Sequence, residues 1–386
     1  MADTDTATTG KGRALTGAVL LDLAVSPLFA WDVFTDALGR DLGVGHALLA
    51  GVFSVGLAAF MLGVLAGGRA ADRTAPRRLA LIALAGTVLG LLGSAVAGSA
   101  AVLFLTFGVL VGGATGLGYA TAVRVAGTVT SGRGLALGLV VSAYAAGTAV
   151  LAPLAAALLA AVGRTATFVV LAAVLGAVLA VAAALVPGAR PAPPRRRDHT
   201  TPRSRPSGPV VALWLAFGLG SAPALAAFAQ AGDLAGDAAA VTLAVVLLNV
   251  GNFAGRLVAG PLSDRIGRRA ALHADAALLV LACLPLASGA SGPVALAALL
   301  LLGTQYGALS TLAPAATSDV VPAERFGTTY GLVFTGWGIA GLVAPVAAAS
   351  LAAVIGFAAV YVVLLGIAAL SWVAVGVYGR LVAHPA

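Results

Sequence analysis

Apolar residues run along this chain in long blocks, each closed by a short cluster of Arg, Asp, Gly or Pro. A helix that crosses a bilayer needs about 20 mostly apolar residues. The blocks predict twelve such spans, at roughly 13–36, 46–67, 79–98, 101–126, 135–160, 166–186, 209–231, 238–261, 271–288, 292–317, 328–350 and 355–378. The expected fold is all-α, a polytopic membrane protein with twelve transmembrane helices.

Between spans two and three the chain reads Gly68-Arg69-Ala70-Ala71-Asp72-Arg73, followed by Pro76-Arg77-Arg78. Between spans eight and nine it reads Gly260-Pro261-Leu262-Ser263-Asp264-Arg265-Ile266-Gly267-Arg268-Arg269. Asp72 and Asp264 are 192 residues apart (264 minus 72) in a chain of 386. A second match lies at an offset of 193: Gly134, Gly138, Leu139, Val140 and Tyr144 align with Gly327, Gly331, Leu332, Val333 and Trp337. A charged loop repeated half a chain apart, between apolar hairpins, points to a two-halved transporter. The segment Pro191-Ala192-Pro193-Pro194-Arg195-Arg196-Arg197 cannot be a helix in lipid and divides the halves. The expected organisation is a disordered cytoplasmic N-terminus (1–12), a six-helix bundle (13–186), a cytoplasmic linker (187–208), a second, pseudo-symmetric six-helix bundle (209–378) and a cytoplasmic tail (379–386). The small-residue steps Gly134/Gly138, Gly327/Gly331, Gly108/Gly112/Gly116 and Gly303/Gly307/Ser310 mark where helix backbones should approach closely.

Composition narrows the class. With 60% hydrophobic and 9% charged residues, no water-soluble fold hides the apolar surface. Of 22 Lys and Arg, 18 fall in the even-numbered connections and the termini, two (Arg40 and Arg164) in the odd-numbered ones, and two (Arg124 and Arg256) inside spans. The positive-inside rule then places both termini in the cytoplasm, as expected for a bacterial inner-membrane protein. The net charge of +8 is scattered over short loops, so a nucleic-acid partner is not expected; the lipid bilayer is. Residues 1–12 lack the basic start and cleavage site of a signal peptide, so the first span should be retained. Cys283 lies alone in an apolar span, and His46, His199 and His273 lie in loops or at helix ends. No metal or cofactor is expected.

With these pieces placed, the chain resembles the major facilitator superfamily over nearly its whole length. Gly-x-x-x-Asp-Arg-x-x-x-Arg-Arg between spans two and three, echoed between eight and nine, is that superfamily's signature loop. The resemblance implies a gate, closed on the inward side by charge contacts at helix ends, that involves Gly68, Asp72, Arg73, Gly260, Asp264 and Arg265. Finer features resemble the oxalate–formate antiporter and monocarboxylate transporter branch: Phe29-Ala30-Trp31-Asp32-Val33-Phe34 in span one, Arg133-Gly134-Leu135-Ala136 entering span five, Gly251-Asn252 with Gly255-Arg256 in span eight, and Phe326-Gly327-Thr328-Thr329-Tyr330-Gly331-Leu332 entering span eleven. That branch implies small organic anions as cargo.

Arg256 is the leading site residue. It lies roughly 10 Å inside the end of span eight, where a guanidinium is costly unless it meets water or a partner. Asn249 and Asn252, seven and four residues earlier, fall on the same helical face. Arg grips a carboxylate through two parallel hydrogen bonds, and the resemblance implies that role; snorkelling to the interface is the alternative. Arg124 in span four is a second substrate cation, a partner of Asp22, or a snorkelling residue. Asp22, well inside span one, is a proton carrier or the fixed partner of Arg124. The monocarboxylate branch often has an Asp four residues before the span-eight Arg; this chain has Asn252, which leaves Asp22 as the expected carrier. Trp337 stands where the oxalate–formate group often has Lys, which points to a single carboxylate. Phe29, Trp31, Tyr119, Tyr144, Gln305 and Tyr306 are expected to complete an aromatic cage with a few polar handles.

Gly289-Ala290-Ser291-Gly292 has the form of an intramembrane serine-protease motif, but no His lies inside a later span to activate Ser291, and no catalytic residue is assigned. The sequence therefore reads as a monomeric secondary transporter, not an enzyme. It is expected to move a small organic anion, a monocarboxylate before others, by proton symport or exchange for a counter-anion through alternating access. The alternative is a proton-driven exporter of an amphipathic metabolite or drug.

Overall fold

The structure, a computed structural model, describes residues 2–129, 132–189, 207–235 and 241–383. The Pro/Arg-rich linker, with Arg195, Arg196, Arg197 and His199, lies outside the described residues. All described elements are helical: α1 (Ala2–Ala24), α2 (Asp32–Leu42), α3 (His46–Ala71), α4 (Pro76–Ala95), α5 (Ala100–Leu103), α6 (Gly112–Gly127), α7 (Arg133–Leu185), α8 (Gly208–Ala235), α9 (Val241–Ile266), α10 (Arg268–Ala287), α11 (Gly292–Val320) and α12 (Phe326–Ala383). A π-helical stretch, Phe104–Val111, joins α5 to α6. Ends follow local chemistry. Pro76 opens α4, where its missing N–H costs nothing. Gly43 closes α2 in the left-handed conformation and returns its N–H to the Gly39 carbonyl. Gly289 and Gly292 also take positive φ, so the protease-like motif is the turn between α10 and α11.

Ten stretches are long and apolar enough to cross a membrane. The two longest each contain a non-helical glycine, Gly163 (φ 72°) in α7 and Gly356 (φ 81°) in α12. Each of these two therefore supplies two crossings, which makes twelve among the described residues. The outward faces carry Leu62, Leu89, Val96, Val258 and Val354, all more than half exposed, as a lipid-facing surface requires.

The chain forms two compact units. One comprises Met1–Thr130, Leu139–Pro193 and Ala323–Gly331; the other comprises Ser131–Gly138, Pro194–Pro322 and Leu332–Ala386. The first residues of α7 thus belong to the second unit, and those of α12 to the first.

Within each unit the small-residue stripes sit where helices touch. In the first, a Cβ on Gly112 or Gly116 would collide with the α3 backbone at Gly56 and at Phe60 and Gly63. In the second, Gly303 and Gly307 of α11 press on the carbonyls of Leu248 and Asn252 in α9, and Gly251 and Gly255 return the contact. Such close approach fixes each helix face, and so fixes where the few polar side chains of α9 and α11 point.

Candidate functional site

The second unit gathers the polar residues of α9 and α11. Asn252 and Arg256 are one turn apart and both buried, at 8% and 7% exposure. Asn252 Oδ1 accepts a 2.9 Å hydrogen bond from Arg256 Nε. The Arg256 Cζ stands 5.9 Å from the centroid of the Tyr306 ring, within cation–π range. The Tyr306 hydroxyl in turn accepts the indole N–H of Trp337 at 2.8 Å. The Phe334 ring lies 4.7 Å from Trp337, and Phe228 packs edge-on to Tyr306 at 5.6 Å. The Arg256 carbonyl receives Thr311 Oγ1, and a Cβ on Gly138 would press against it. Arg256, Asn252, Tyr306 and Trp337 are therefore one connected cluster, with a cation held by an amide against the Tyr306 ring, which Trp337 in turn bonds.

Two residues expected in that cluster behave differently. Asn249 is exposed and donates its amide to the Val245 carbonyl of its own helix. It shares the angular position of Arg256, but lies two turns nearer the start of α9, where that face is open. Gln305 is fully buried, and its amide goes to Asp275 Oδ2 at 2.9 Å rather than to the cluster. Asp275, an acidic residue about a third of the way along an apolar span, was missed by sequence reasoning. Its only signal is its presence in the 271–288 block.

In the first unit the expected cage is a packed core of rings. Phe29 meets Phe53 and Tyr144 at 5.7 Å, Phe60 stacks on Tyr144 at 5.9 Å, and Tyr119 meets Tyr144 at 6.0 Å. The Tyr119 and Tyr330 hydroxyls are 3.1 Å apart. Trp31 packs on Phe107 and donates to the Leu49 carbonyl, away from the others. Asp22 is fully buried in α1.

Arg124 pairs with a loop carboxylate: its Nε is 2.9 Å from Asp72 Oδ1, with both side chains nearly inaccessible. The same Asp72 accepts the backbone N–H groups of Gly327 and Thr328, at 2.9 and 2.7 Å. These are donors of the first turn of α12, which have no partner within the helix. Asp264 does the same for α7, accepting from Gly134 and Leu135 at 2.9 and 3.3 Å. Its cation is Arg268 at 2.8 Å, and Arg268 also reaches Asp319, which holds Arg133. Glycine is required on both sides: a Cβ on Gly68 would strike the Gly327 carbonyl, and one on Gly260 the Gly134 carbonyl. Arg73 and Arg265 are exposed, and the cations that meet Asp72 and Asp264 are Arg124 and Arg268.

Among the described residues, no group of three His, Cys, Asp or Glu could hold a metal ion. The arrangement is one of buried polar contacts at close-packed helix faces.

Known proteins agree with this architecture. The family model described as Major Facilitator Superfamily matches residues 18–222 and 210–385. The chain belongs to the major facilitator superfamily. Among curated proteins, this facilitator is 24% identical to the uncharacterized MFS-type transporter YhjX of Escherichia coli over 343 residues, 84% of each chain. Its fold is similar to the human organic anion transporter MFSD10 (TM-score 0.73, 17% identity, 95% of this chain and 99% of that one). A bacterial homologue of the iron transporter ferroportin in the outward-facing state is equally similar (TM-score 0.73, 16% identity, 96% and 99%). The proton:xylose symporter XylE follows at a TM-score of 0.71, with 14% identity over 94% and 95%. This facilitator is a multi-pass membrane protein of the secondary-transporter class.

Proposed function

We propose that this facilitator carries a small organic anion with one carboxylate, in the manner of the oxalate–formate and monocarboxylate branch, by proton symport or by exchange for another anion. The observation that carries this reading is Arg256, a buried guanidinium held by Asn252 and packed against Tyr306, whose hydroxyl bonds Trp337. A cation kept in an apolar span is costly and is retained where it has a partner to bind. A planar guanidinium with its ring neighbours suits a flat carboxylate. Trp337 fills the place of a second cation, which favours one negative charge over two.

In this reading the halves 13–186 and 209–378 rock about the bound anion, with both termini in the cytoplasm of a bacterial cell, and the protein works as a monomer. The Asp72 and Asp264 contacts form and release during each cycle. Asp22, buried in α1, is a proton carrier. The packed aromatic core around Phe29 and Tyr144 favours a second reading, proton-driven export of an amphipathic metabolite, because such a core adapts to flat apolar cargo.

Counterflow in proteoliposomes, with formate, lactate and oxalate as probes, separates the two. Arg256→Ala should lower counterflow of the preferred anion by about 100-fold, and Arg256→Lys should recover little because it lacks the planar fork. Near-normal counterflow in Arg256→Ala would remove the anion reading and leave export standing.

A further inference from the structure

Asp275 is the buried carboxyl for which the anion site has no use. It lies seven residues into α10, about 10 Å along the helix, and is 6% exposed. Its Oδ2 accepts the Gln305 amide, while Oδ1 and the Gln305 carbonyl oxygen have no hydrogen-bond partner among the described residues. Among the described residues no cation pairs with it. Of the charged and titratable groups on the helices around α10, Arg256 bonds Asn252, Asp264 pairs with Arg268, and Asp319 holds Arg268 and Arg133. The Tyr306 hydroxyl takes Trp337, the Tyr378 hydroxyl donates to the Ala316 carbonyl, and His273 accepts from Trp372. Arg265, Arg269 and Arg380 are exposed, Cys283 and Tyr361 are buried without a bond to Asp275, and the described side chains of α8 include no titratable group.

A buried carboxyl whose neighbour is a primary amide has a partner for either protonation state. The amide N–H₂ donates to a carboxylate; turned over, its carbonyl accepts from a carboxylic acid. Gly220 of α8 faces this amide without a side chain, and a Cβ there would come to 3.9 Å from Gln305 Nε2. An Arg or Lys in place of Gln305 would lock the charged form, and an apolar residue would strand it. Gln305 directly precedes Tyr306 in α11, so the pair lies at the same level of that helix as the proposed anion site.

We infer that Asp275 and Gln305 form the proton-carrying site that couples anion movement in this protein, in place of the role proposed above for Asp22. The inference rests on the proposed anion transport for its role in coupling. In the cycle, the Asp275 carboxylate takes one proton from water on one side of the membrane, forming a single O–H bond as the Gln305 amide turns. It returns that proton to the other side, so one proton and one monocarboxylate cross without net charge.

Two measurements on the purified full-length protein test it. The first needs no substrate: infrared difference spectra between acid and alkaline pH. Wild type should show a protonated-carboxyl C=O band that Asp275→Asn lacks and that Asp275→Glu keeps at a shifted frequency. The second uses lactate and formate in proteoliposomes. Asp275→Asn should lower uptake driven by a pH gradient about tenfold more than it lowers counterflow. Gln305→Leu should show the same split, and the double variant should be no worse than Asp275→Asn, because the two residues act as one unit.

A band unaffected by Asp275→Asn, an equal loss of both activities, or accumulation that follows a sodium gradient instead of a pH gradient would overturn the inference. If neither probe is moved, the infrared result still decides: a band lost in Asp275→Asn upholds the proton site while the anion reading fails. A missing band in wild type rejects the proton site even if both probes are carried.

Discussion

The two duplicated loops hold the same carboxylate and cap the same kind of helix end, yet they recruit their cations differently. Asp72 receives two first-turn N–H groups of α12 and pairs with Arg124, 52 residues away on α6, in a site where the side chains are 4% and 9% exposed. Asp264 receives two N–H groups of α7 but pairs with Arg268, one turn along its own stretch, at 25% and 13% exposure. At the repeat offset Arg268 corresponds to Pro76, and Arg124 to Ala316 (124 plus 192). The repeat has kept the cap and exchanged the source of positive charge. A cap is a backbone demand imposed by the helix end, whereas its counter-charge is satisfied from any side chain within reach.

The contrast predicts unequal dependence on the two cations. Arg124→Leu leaves a buried carboxylate without its cation and should destabilise the purified protein by about 3 kcal/mol. Arg268→Leu removes a partly solvated pair and should cost about 1 kcal/mol or less. Thermal unfolding in one detergent compares them, and equal losses would end the distinction. A transplant sharpens it: Pro76→Arg places a cation where the second loop has one. In the Arg124→Leu background it should restore about 1 kcal/mol, as a local pair would. No recovery would mean that the first loop requires its cation from α6.

The smallest effect concerns the equivalent positions Tyr144 and Trp337. Tyr144 lies in a core of rings, whereas Trp337 bonds Tyr306 beside Arg256. Trp337→Lys should shift the ratio of lactate to oxalate inhibition constants about fivefold towards oxalate, near 1 kcal/mol, by adding a second cation to the proposed anion site. Tyr144→Lys should lower stability and leave that ratio unchanged. A shift in both variants would place the anion between the two residues.

The fold was legible because lipid demands long apolar blocks and the repeat marks its halves. Gly108, Gly112, Gly303 and Gly307 were readable as contact points for the same reason: spacing on a helix determines which residues share a face. The partner of Arg124 was not readable, since Asp72 is in a loop and sequence gives no measure of how far α6 runs past the end of α3. Asn249 shares the angular position of Arg256, but angle carries no information on which turns of that face are covered. Asp275 escaped notice because one Asp among twenty residues barely lowers the apolarity of a span, and its partner Gln305 lies 30 positions away on another helix.

Gly163 and Gly356 are 193 residues apart (356 minus 163), the repeat offset again, and both hold a positive φ. Without the first, α7 would be one rod of 53 residues, about 80 Å long against a hydrocarbon core of about 30 Å. These glycines therefore act on parity. Each turn adds one crossing, and the count of crossings decides to which compartment every later loop is delivered during synthesis. The turn at Gly163 therefore sets whether an even or an odd number of crossings separates Asp72 from Asp264 along the chain.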